Sequence, residues 1–265
     1  MKIAVCVKEV PGANVPRRHD DATKRLVRDG DQVLNSYDSH AMEAALQLKE
    51  AGGDAADATI TAVCMGPEGA SRTLQKALAL GADDALLVTD TALEGSDVLA
   101  TARALAAAIA KHGPFDLVIL GQQASDSDCW VLPGVLAELL ESPVATQASK
   151  VEFTGGEVAL ERQTEYGYEK LSLSLPAVVS VSDAINTPRY PALKAIMAAK
   201  KKPLVKVSLA DLGLDASSVG TGGSGTKVLA FSPPPAKQGG IKVEDDGSGS
   251  GADGIVEFLA GRNLV

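Results

Sequence analysis

The sequence is short of aromatic, cysteine and histidine residues, and each shortage excludes a class of structure or site. Phe, Trp and Tyr make up 3% of the 265 residues, so the core is expected to be aliphatic. The three cysteines, Cys6, Cys64 and Cys129, have a spacing that fits neither a zinc site nor a disulfide framework. An odd number of cysteines suits a reducing cytoplasm, which is the predicted location. With only three histidines as well, no metal site is expected.

Long apolar runs and an excess of positive charge are also missing. No run is long enough to span a bilayer, and the apolar part of the first residues, MKIAVCVKEVPG, is too short for a secretory signal. The net charge of −9 argues against nucleic-acid binding, which needs a basic surface. The usual NAD and ATP fingerprint, a glycine-rich loop directly joining a strand to a helix, is absent. No nucleophile–base pair stands out, so no catalytic residue is predicted.

Strand-like and helix-like segments alternate through the first half of the chain. Apolar runs predict strands at 2–8, 59–65, 85–88 and 115–120. The intervening helices are predicted through HAMEAALQLKEAG, capped by Asp38 or Ser39, through SRTLQKALALG, after Ser96 and Asp97, and through VLAELL. This order predicts an α/β fold with a doubly wound, mostly parallel sheet.

The pattern changes after Pro143. Short strands at 150–153, 158–164 and 169–174, separated by polar turns, predict an added antiparallel meander, and 177–181 returns to the apolar type. Beyond Pro203 the sequence is rich in Gly, Ser and Pro, and it ends with a short amphipathic segment at 255–259. We therefore predict a domain at 1–204 and a C-terminal arm at 205–265, which is either disordered or wraps another chain.

Ligands of a doubly wound sheet bind where the carboxyl ends of the strands meet the helix N-termini. Four loops lie there, following Lys8, Met65, Val88 and Leu120. The loop at 121–128 is the most polar of them, and the turn at 66–69 is the tightest. The residues thus indicate a nucleotide crevice, although each Gly could equally be a simple turn residue and each Asp a helix cap.

Residues 186–203, NTPRYPALKAIMAAKKKP, carry prolines at both ends and a small apolar stripe between them. Leu193, Ile196 and Met197 are spaced i, i+3, i+4, which places them on one face of a helix. Without other information, this is a short amphipathic helix packed on its own domain with a solvated basic end.

Four stretches together resemble the electron-transfer flavoprotein β family. VCVKEVPG resembles its first strand and loop, and AVCMGPEGASRTLQKALALGAD its second strand and helix. LNSYDSHAMEAALQLKE is similar to its N-P-x-[DEC]-x-x-A-x-E-x-A segment, with Ser36 where Pro is usual. The most specific likeness runs from Arg162 to Pro203.

The resemblance implies a small subunit that pairs with a larger α subunit carrying most of an FAD site, and that holds AMP in its own crevice. Such a heterodimer takes electrons from flavin dehydrogenases, such as acyl-CoA dehydrogenases, to a membrane quinone oxidoreductase. One alternative is an electron-bifurcating subunit, which binds a second FAD in place of AMP and oxidises NADH. Another is a universal-stress-type adenine-nucleotide sensor, which would need neither the meander nor the segment at 186–203.

The resemblance also implies which residues bind. Next to the adenine it places Cys6, Lys8, Asn35, Ser36, Tyr37 and Asp38, with Tyr37 near the isoalloxazine ring. On a second turn and on the phosphate loop it places Met65, Gly66, Gln123, Asp126, Asp128 and Cys129.

After this loop the chain departs from the family, because Trp130, Val131 and Leu132 replace polar donors. We expect backbone N–H groups to hold the phosphate and the aspartates to repel it. For dehydrogenase docking it implies Arg189, Tyr190, Leu193, Ile196 and Met197, with Leu193 as the anchor.

Overall fold

The computed structural model describes residues 1–236, 239–245 and 247–265. Two compact units are present, Met1–Leu229 and Ala230–Val265. The strands are β1 Lys2–Cys6, β2 Glu9–Pro11, β3 Gln32–Leu34, β4 Thr59–Met65, β5 Asp84–Val88, β6 Leu117–Gly121, β7 Val144–Thr154, β8 Glu157–Thr164, β9 Gly167–Ser174, β10 Ala177–Val181 and β11 Leu204–Val207. The helices are α1 Ser36–Glu50, α2 Ser71–Leu80, α3 Val98–His112, α4 Leu132–Leu139, α5 Leu193–Ala199, α6 Leu209–Leu212, α7 Gly220–Gly223 and α8 Ser250–Ala260.

The first unit is built on one nine-stranded sheet in the order β11-β5-β4-β1-β6-β10-β7-β8-β9. Neighbours from β11 to β7 are parallel, and β7, β8 and β9 pair antiparallel. The predicted α/β fold with a mostly parallel sheet and an added meander is therefore confirmed. Outside this sheet, β2 and β3 pair as a small antiparallel ribbon at the two ends of a long excursion.

Helices cover both faces of the sheet, because successive strand residues point to opposite sides. Ile3 and Val5 of β1 pack in a cluster with α1 and α2, whereas Ala4 and Cys6 pack in a second cluster with α3 and α4. Ala, Val, Leu and Ile dominate both clusters, as the composition predicts. Successive strands are added on opposite sides of β1, so the strand order reverses between β1 and β6. In a fold of this type a ligand crevice is expected at the carboxyl ends of these two strands.

Some boundaries differ from the prediction. Helix α1 starts at Ser36 with Asn35 as its N-cap, so Asp38 and Ser39 do not cap it. Asp38 is drawn into the first turn because its carboxylate accepts a hydrogen bond from the Lys8 N–H at 2.7 Å. Asp97 does cap α3, since its Oδ1 accepts from the Ala100 N–H at 3.0 Å.

The chain after Pro203 contains more structure than its composition predicts. Strand β11 pairs with β5, and α6 opens with a capping box in which Ser208 and Asp211 bond each other's backbone N–H. These elements are too short to be stable alone and form because neighbouring parts of the fold pair with them. In the second unit, α8 extends the short amphipathic piece predicted at 255–259. No helix in the described ranges is long and apolar enough to cross a membrane.

Candidate functional site

The end of β6 and the first turn of α1 approach each other very closely. A Cβ atom on Gly121 would lie 2.6 Å from the carbonyl carbon of Tyr37 and 2.7 Å from Oδ1 of Asp38. Both distances are far below van der Waals contact, so only glycine allows this approach. The missing side chain brings Tyr37 and Asp38 against the loop that follows β6.

Asn35 joins that loop to the start of α1. Its Nδ2 donates to the carbonyl oxygen of Gln123 at 2.8 Å, and its Oδ1 accepts from the Ser125 N–H at 3.1 Å. Gln123 in turn donates from Nε2 to the Tyr37 hydroxyl at 3.2 Å. Among the described residues, Gln123 Oε1 has no hydrogen-bond partner although it is buried. A buried acceptor without a partner is costly, so this oxygen is a candidate acceptor for an N–H or O–H group of a ligand or of water.

Asp38 is a buried carboxyl group in this crevice. Burial raises its pKa to about 7, against opposing hydrogen bonds from the Asn35 side chain and from the backbone N–H groups of Lys8 and Gly121. The charged form is thus disfavoured by desolvation but tolerated because N–H donors surround it. Asp38 therefore ties the ends of β1 and β6 to α1 and titrates near neutrality.

Replacing Asp38 by asparagine is expected to flatten the pH dependence of stability. Because the folded-state pKa is raised from 3.8 to about 7, the stability contributed by this group is full below pH 4 and is lost as the pH rises through 7. Between pH 5 and 8 the loss is on the order of 3 kcal/mol. Urea unfolding at a series of pH values measures it. The exposed Asp183→Asn is the control, and equal slopes in both variants would contradict the prediction.

The carboxylate of Asp126 lies at the centre of an ion-pair cluster. Its side chain is fully buried, and Lys8 Nζ contacts its Oδ1 at 2.7 Å while Arg28 Nη2 bonds its Oδ2. Burial alone would raise its pKa, but Lys8 and Arg28 outweigh burial and lower it. The expected repulsion between Asp126 and a phosphate is therefore offset by two cations. Asp128, by contrast, is exposed, with a left-handed φ of 45°.

The other predicted nucleotide residues are not members of this ion-pair cluster. Cys6 is a buried thiol whose pKa is raised by burial, and so is Cys64, which is not among the predicted nucleotide residues. Met65 and Gly66 lie at the end of β4, where the Gly66 N–H donates to Val88 rather than to the crevice loop. Two further predicted positions are Ser36, which is exposed, and Cys129, which is half-buried.

One residue of the site, Arg28, escaped the sequence reasoning. It lies in the polar excursion between β2 and β3, where charged residues follow no regular spacing. The sequence signal that could have indicated it is the loss of polar side chains at Trp130, Val131 and Leu132, since a phosphate left without those donors needs another cation.

The apolar stripe at 186–203 faces outward. Helix α5 packs on α2 through the buried Ala199, whereas Leu193 is 75% exposed. Ile196, Met197 and Tyr190 are exposed as well. The stripe therefore does not pack on its own domain, and an apolar surface is left open.

Hydrogen bonds fix this segment before and after the stripe. Arg189 clamps two carboxylates of α1, with Nε 2.7 Å from Glu43 Oε2 and Nη1 2.6 Å from Glu50 Oε1. His40 Nδ1 lies 3.0 Å from the Asn186 carbonyl oxygen, so His40 is partly buried and bonded, not the free exposed residue its helix-start position suggests. At the other end, Lys202 Nζ donates to the carbonyl oxygen of Leu78, in the last turn of α2, and to that of Ala82, just beyond the helix. One lysine of the basic end thus caps α2.

Comparisons with known proteins agree with one another. The model of the Electron transfer flavoprotein domain matches residues 23–212. The chain is 38% identical over 265 residues, 99% of each chain, to "Electron transfer flavoprotein subunit beta" of Mycobacterium tuberculosis. It is 38% identical over 267 residues to the protein of that name from Thermoanaerobacterium thermosaccharolyticum, covering both chains fully. It is also 34% identical over 266 residues, again over both full lengths, to "Caffeyl-CoA reductase-Etf complex subunit CarD" of Acetobacterium woodii.

Proposed function

This chain belongs to the electron transfer flavoprotein family as a β subunit, and on that premise we propose that it carries electrons from flavin dehydrogenases, such as acyl-CoA dehydrogenases, to a membrane quinone oxidoreductase. Subunits of this family transfer electrons, pair with an α subunit and work with a flavin. The flavin in the proposal is an FAD shared with the α subunit, and the proposed location is the cytoplasm. When bound, the FAD supplies the redox chemistry, and Tyr37 is proposed to lie beside it.

The crevice between β1 and β6 is proposed to hold AMP. The observation that carries this proposal is the buried Gln123 Oε1, an acceptor with no partner among the described residues. An adenine or ribose group offers the N–H or O–H that this oxygen needs. Asn35 donates to the backbone carbonyl of Gln123, and the Tyr37 hydroxyl accepts from the Gln123 side chain. Asp38 accepts from the backbone N–H groups of Lys8 and Gly121, which follow β1 and end β6. The remaining residues implied by the resemblance are also proposed to line the nucleotide crevice: Cys6, Lys8, Ser36, Met65, Gly66, Asp126, Asp128 and Cys129.

Nucleotides released by denaturing the purified complex test the assignment. We expect one FAD and one AMP per heterodimer. Gln123→Leu should lower the AMP content while FAD is retained, because the substitution removes the proposed acceptor for AMP and no group that is itself proposed to contact the flavin. Gln163→Leu, an exposed glutamine on β8, is the matched control. Unchanged AMP in the Gln123 variant would contradict the role given to this residue.

A second candidate function is electron bifurcation, in which the same crevice holds a second FAD and the protein oxidises NADH. The likeness to "Caffeyl-CoA reductase-Etf complex subunit CarD" favours keeping it as the alternative. Finding two FAD and no AMP per heterodimer would support electron bifurcation and contradict the proposal that the crevice holds AMP. The universal-stress-type sensor has no comparable support, since the matched relatives are flavoprotein subunits over their full lengths.

Two surfaces are proposed to meet protein partners. Tyr190, Leu193, Ile196 and Met197 form the docking surface for the dehydrogenase, and Arg189 contributes by holding the segment on α1. In the predicted arm at 205–265, the part up to Leu229 belongs to the first unit. The part from Ala230 onward is proposed to wrap the α subunit, and α8 exposes Ile255 and Val256 for that contact.

A further inference from the structure

Two cations converge on one buried carboxylate at the carboxyl edge of the sheet. Lys8 and Arg28 each keep 39% of their side chain exposed, whereas the Asp126 side chain is 0% exposed. Lys8 Nζ also lies 3.4 Å from the Ser127 hydroxyl. These three side chains taken by themselves carry a net positive charge, and of the three only Lys8 and Arg28 have side-chain surface that an incoming ligand can reach. The exposed Asp128 and the buried Asp38 lie outside this count.

The position of Arg28 is built into the fold. Its Nη1 donates to the carbonyl oxygen of Glu9 at 3.2 Å, which fixes the guanidinium to β2. The excursion that carries it is held at another point by Arg25, whose Nη1 contacts Glu94 Oε1 at 2.8 Å and whose Nη2 bonds Thr221. Among the described residues, Arg28 donates one hydrogen bond from Nη1 and one from Nη2, although its guanidinium carries five N–H donors. Arg28 is therefore placed with donors to spare.

The chemistry of this cluster matches a phosphate group. A guanidinium offers a planar fork of donors that fits phosphate oxygens, and an ammonium adds a point charge. The residues after the crevice loop offer less to a phosphate, because the exposed side chains of Trp130 and Val131 carry no positive charge and only a single indole N–H between them. Since Asp126 is fully buried, it orients the two cations instead of meeting the ligand.

We propose that Lys8 and Arg28 bind the phosphate of the nucleotide in the crevice, with Asp126 as the residue that positions them. This inference rests on the proposed function, since it names the groups that hold one part of the proposed AMP. It makes Arg28 the replacement for the polar side chains that are missing at 130–132.

Titration of the nucleotide-stripped heterodimer with AMP and with adenosine separates phosphate from adenine binding. Arg28→Gln is expected to weaken AMP binding by about tenfold or more, because a charge-assisted hydrogen bond is lost. Adenosine, which carries no phosphate, should bind as in the wild type. Arg28→Lys, which keeps the charge, should retain more AMP affinity than Arg28→Gln. Arg18→Gln, on the same excursion and paired with Asp29, is the matched control.

Three other results would each overturn either this inference or the proposed AMP site. Equal AMP affinity in Arg28→Gln and wild type overturns the inference while leaving the AMP proposal intact. An equal loss for AMP and adenosine also overturns it, because Arg28 would then act only through the shape of the crevice. If the wild-type complex binds neither compound, the proposed AMP site itself fails. Thermal unfolding of all three arginine variants shows that the comparison is made on folded protein.

Discussion

Replacing Leu193 by alanine is expected to slow electron transfer from the donor dehydrogenase by about tenfold or more. Leu193 is 75% exposed and contributes little to its own domain, so the change should leave folding and flavin content intact. A buried anchor at the centre of an interface commonly costs about 2 kcal/mol or more when it is truncated, which exceeds a tenfold loss of affinity. The measurement is the rate of flavin reduction by the dehydrogenase over a range of dehydrogenase concentrations.

The control for this variant is Leu139→Ala on α4. Leu139 is also an exposed leucine, but α4 covers the opposite face of the sheet from α2 and α5. Its rate should therefore match the wild type. Loss of FAD or unfolding of the Leu193 variant would mean that Leu193 is part of the core, and an unchanged rate would mean that the docking surface lies elsewhere.

Replacing Arg189 by glutamine is expected to lower the free energy of unfolding by about 2–4 kcal/mol, because it strands a buried carboxylate. The Glu43 side chain is 7% exposed, and Arg189 meets it through Nε at 2.7 Å and Nη2 at 2.9 Å. Burial would raise the pKa of Glu43, but the hydrogen bonds and charge of Arg189 outweigh burial and lower it. The stabilisation is therefore present above pH 4.5, the usual pKa of Glu43, and is lost as the pH falls through its lowered value.

Urea unfolding of Arg189→Gln at neutral and at acid pH tests this expectation, and the difference from wild type should narrow at acid pH. The control is Arg162→Gln, whose partner Glu169 lies on the exposed meander. This variant should lower the free energy of unfolding by less than about 1 kcal/mol. Adding Glu43→Gln to the Arg189 variant should recover part of the loss, because the unpaired charge is gone. The Arg189 variant should also lose electron transfer, since the segment at 186–203, which carries the proposed docking surface, is no longer held on α1. Equal stability of the Arg189 and Arg162 variants would contradict the clamp.

The elements that the sequence predicts best are those whose burial is complete. The strands at 59–65 and 177–181 have the predicted bounds, because an apolar run between turn residues can satisfy its backbone and side chains only inside a sheet. Asp97 caps α3 as predicted, because a cap depends on residues only three positions apart. The start of α1 was misplaced, because the bond that moves Asp38 into the helix comes from Lys8, thirty positions away in sequence.

The residues of the candidate site also fall into two groups, those that local sequence predicts and those that depend on distant contacts. Lys8 and Gln123 lie two residues after the ends of β1 and β6. The sequence could place them at the same edge of the sheet, because the carboxyl ends of parallel strands share one edge. Arg28 could not, because the path of its excursion depends on bonds to Glu9 and Asp126. The burial that brings the pKa of Asp38 close to neutrality also depends on the close approach of Gly121.

The sequence by itself determined the α/β fold, the family and the apolar stripe at Leu193, Ile196 and Met197, because periodicity and local motifs carry this information. Only the tertiary structure decided which way the stripe faces and what holds it. Ala199 packs on α2 and Arg189 reaches α1, so the stripe is turned outward. The tertiary structure likewise decided that Asp126 is neutralised by Lys8 and Arg28. Charged groups form an ion pair only when they lie close together, and the packing of segments that are distant in sequence sets how close they lie.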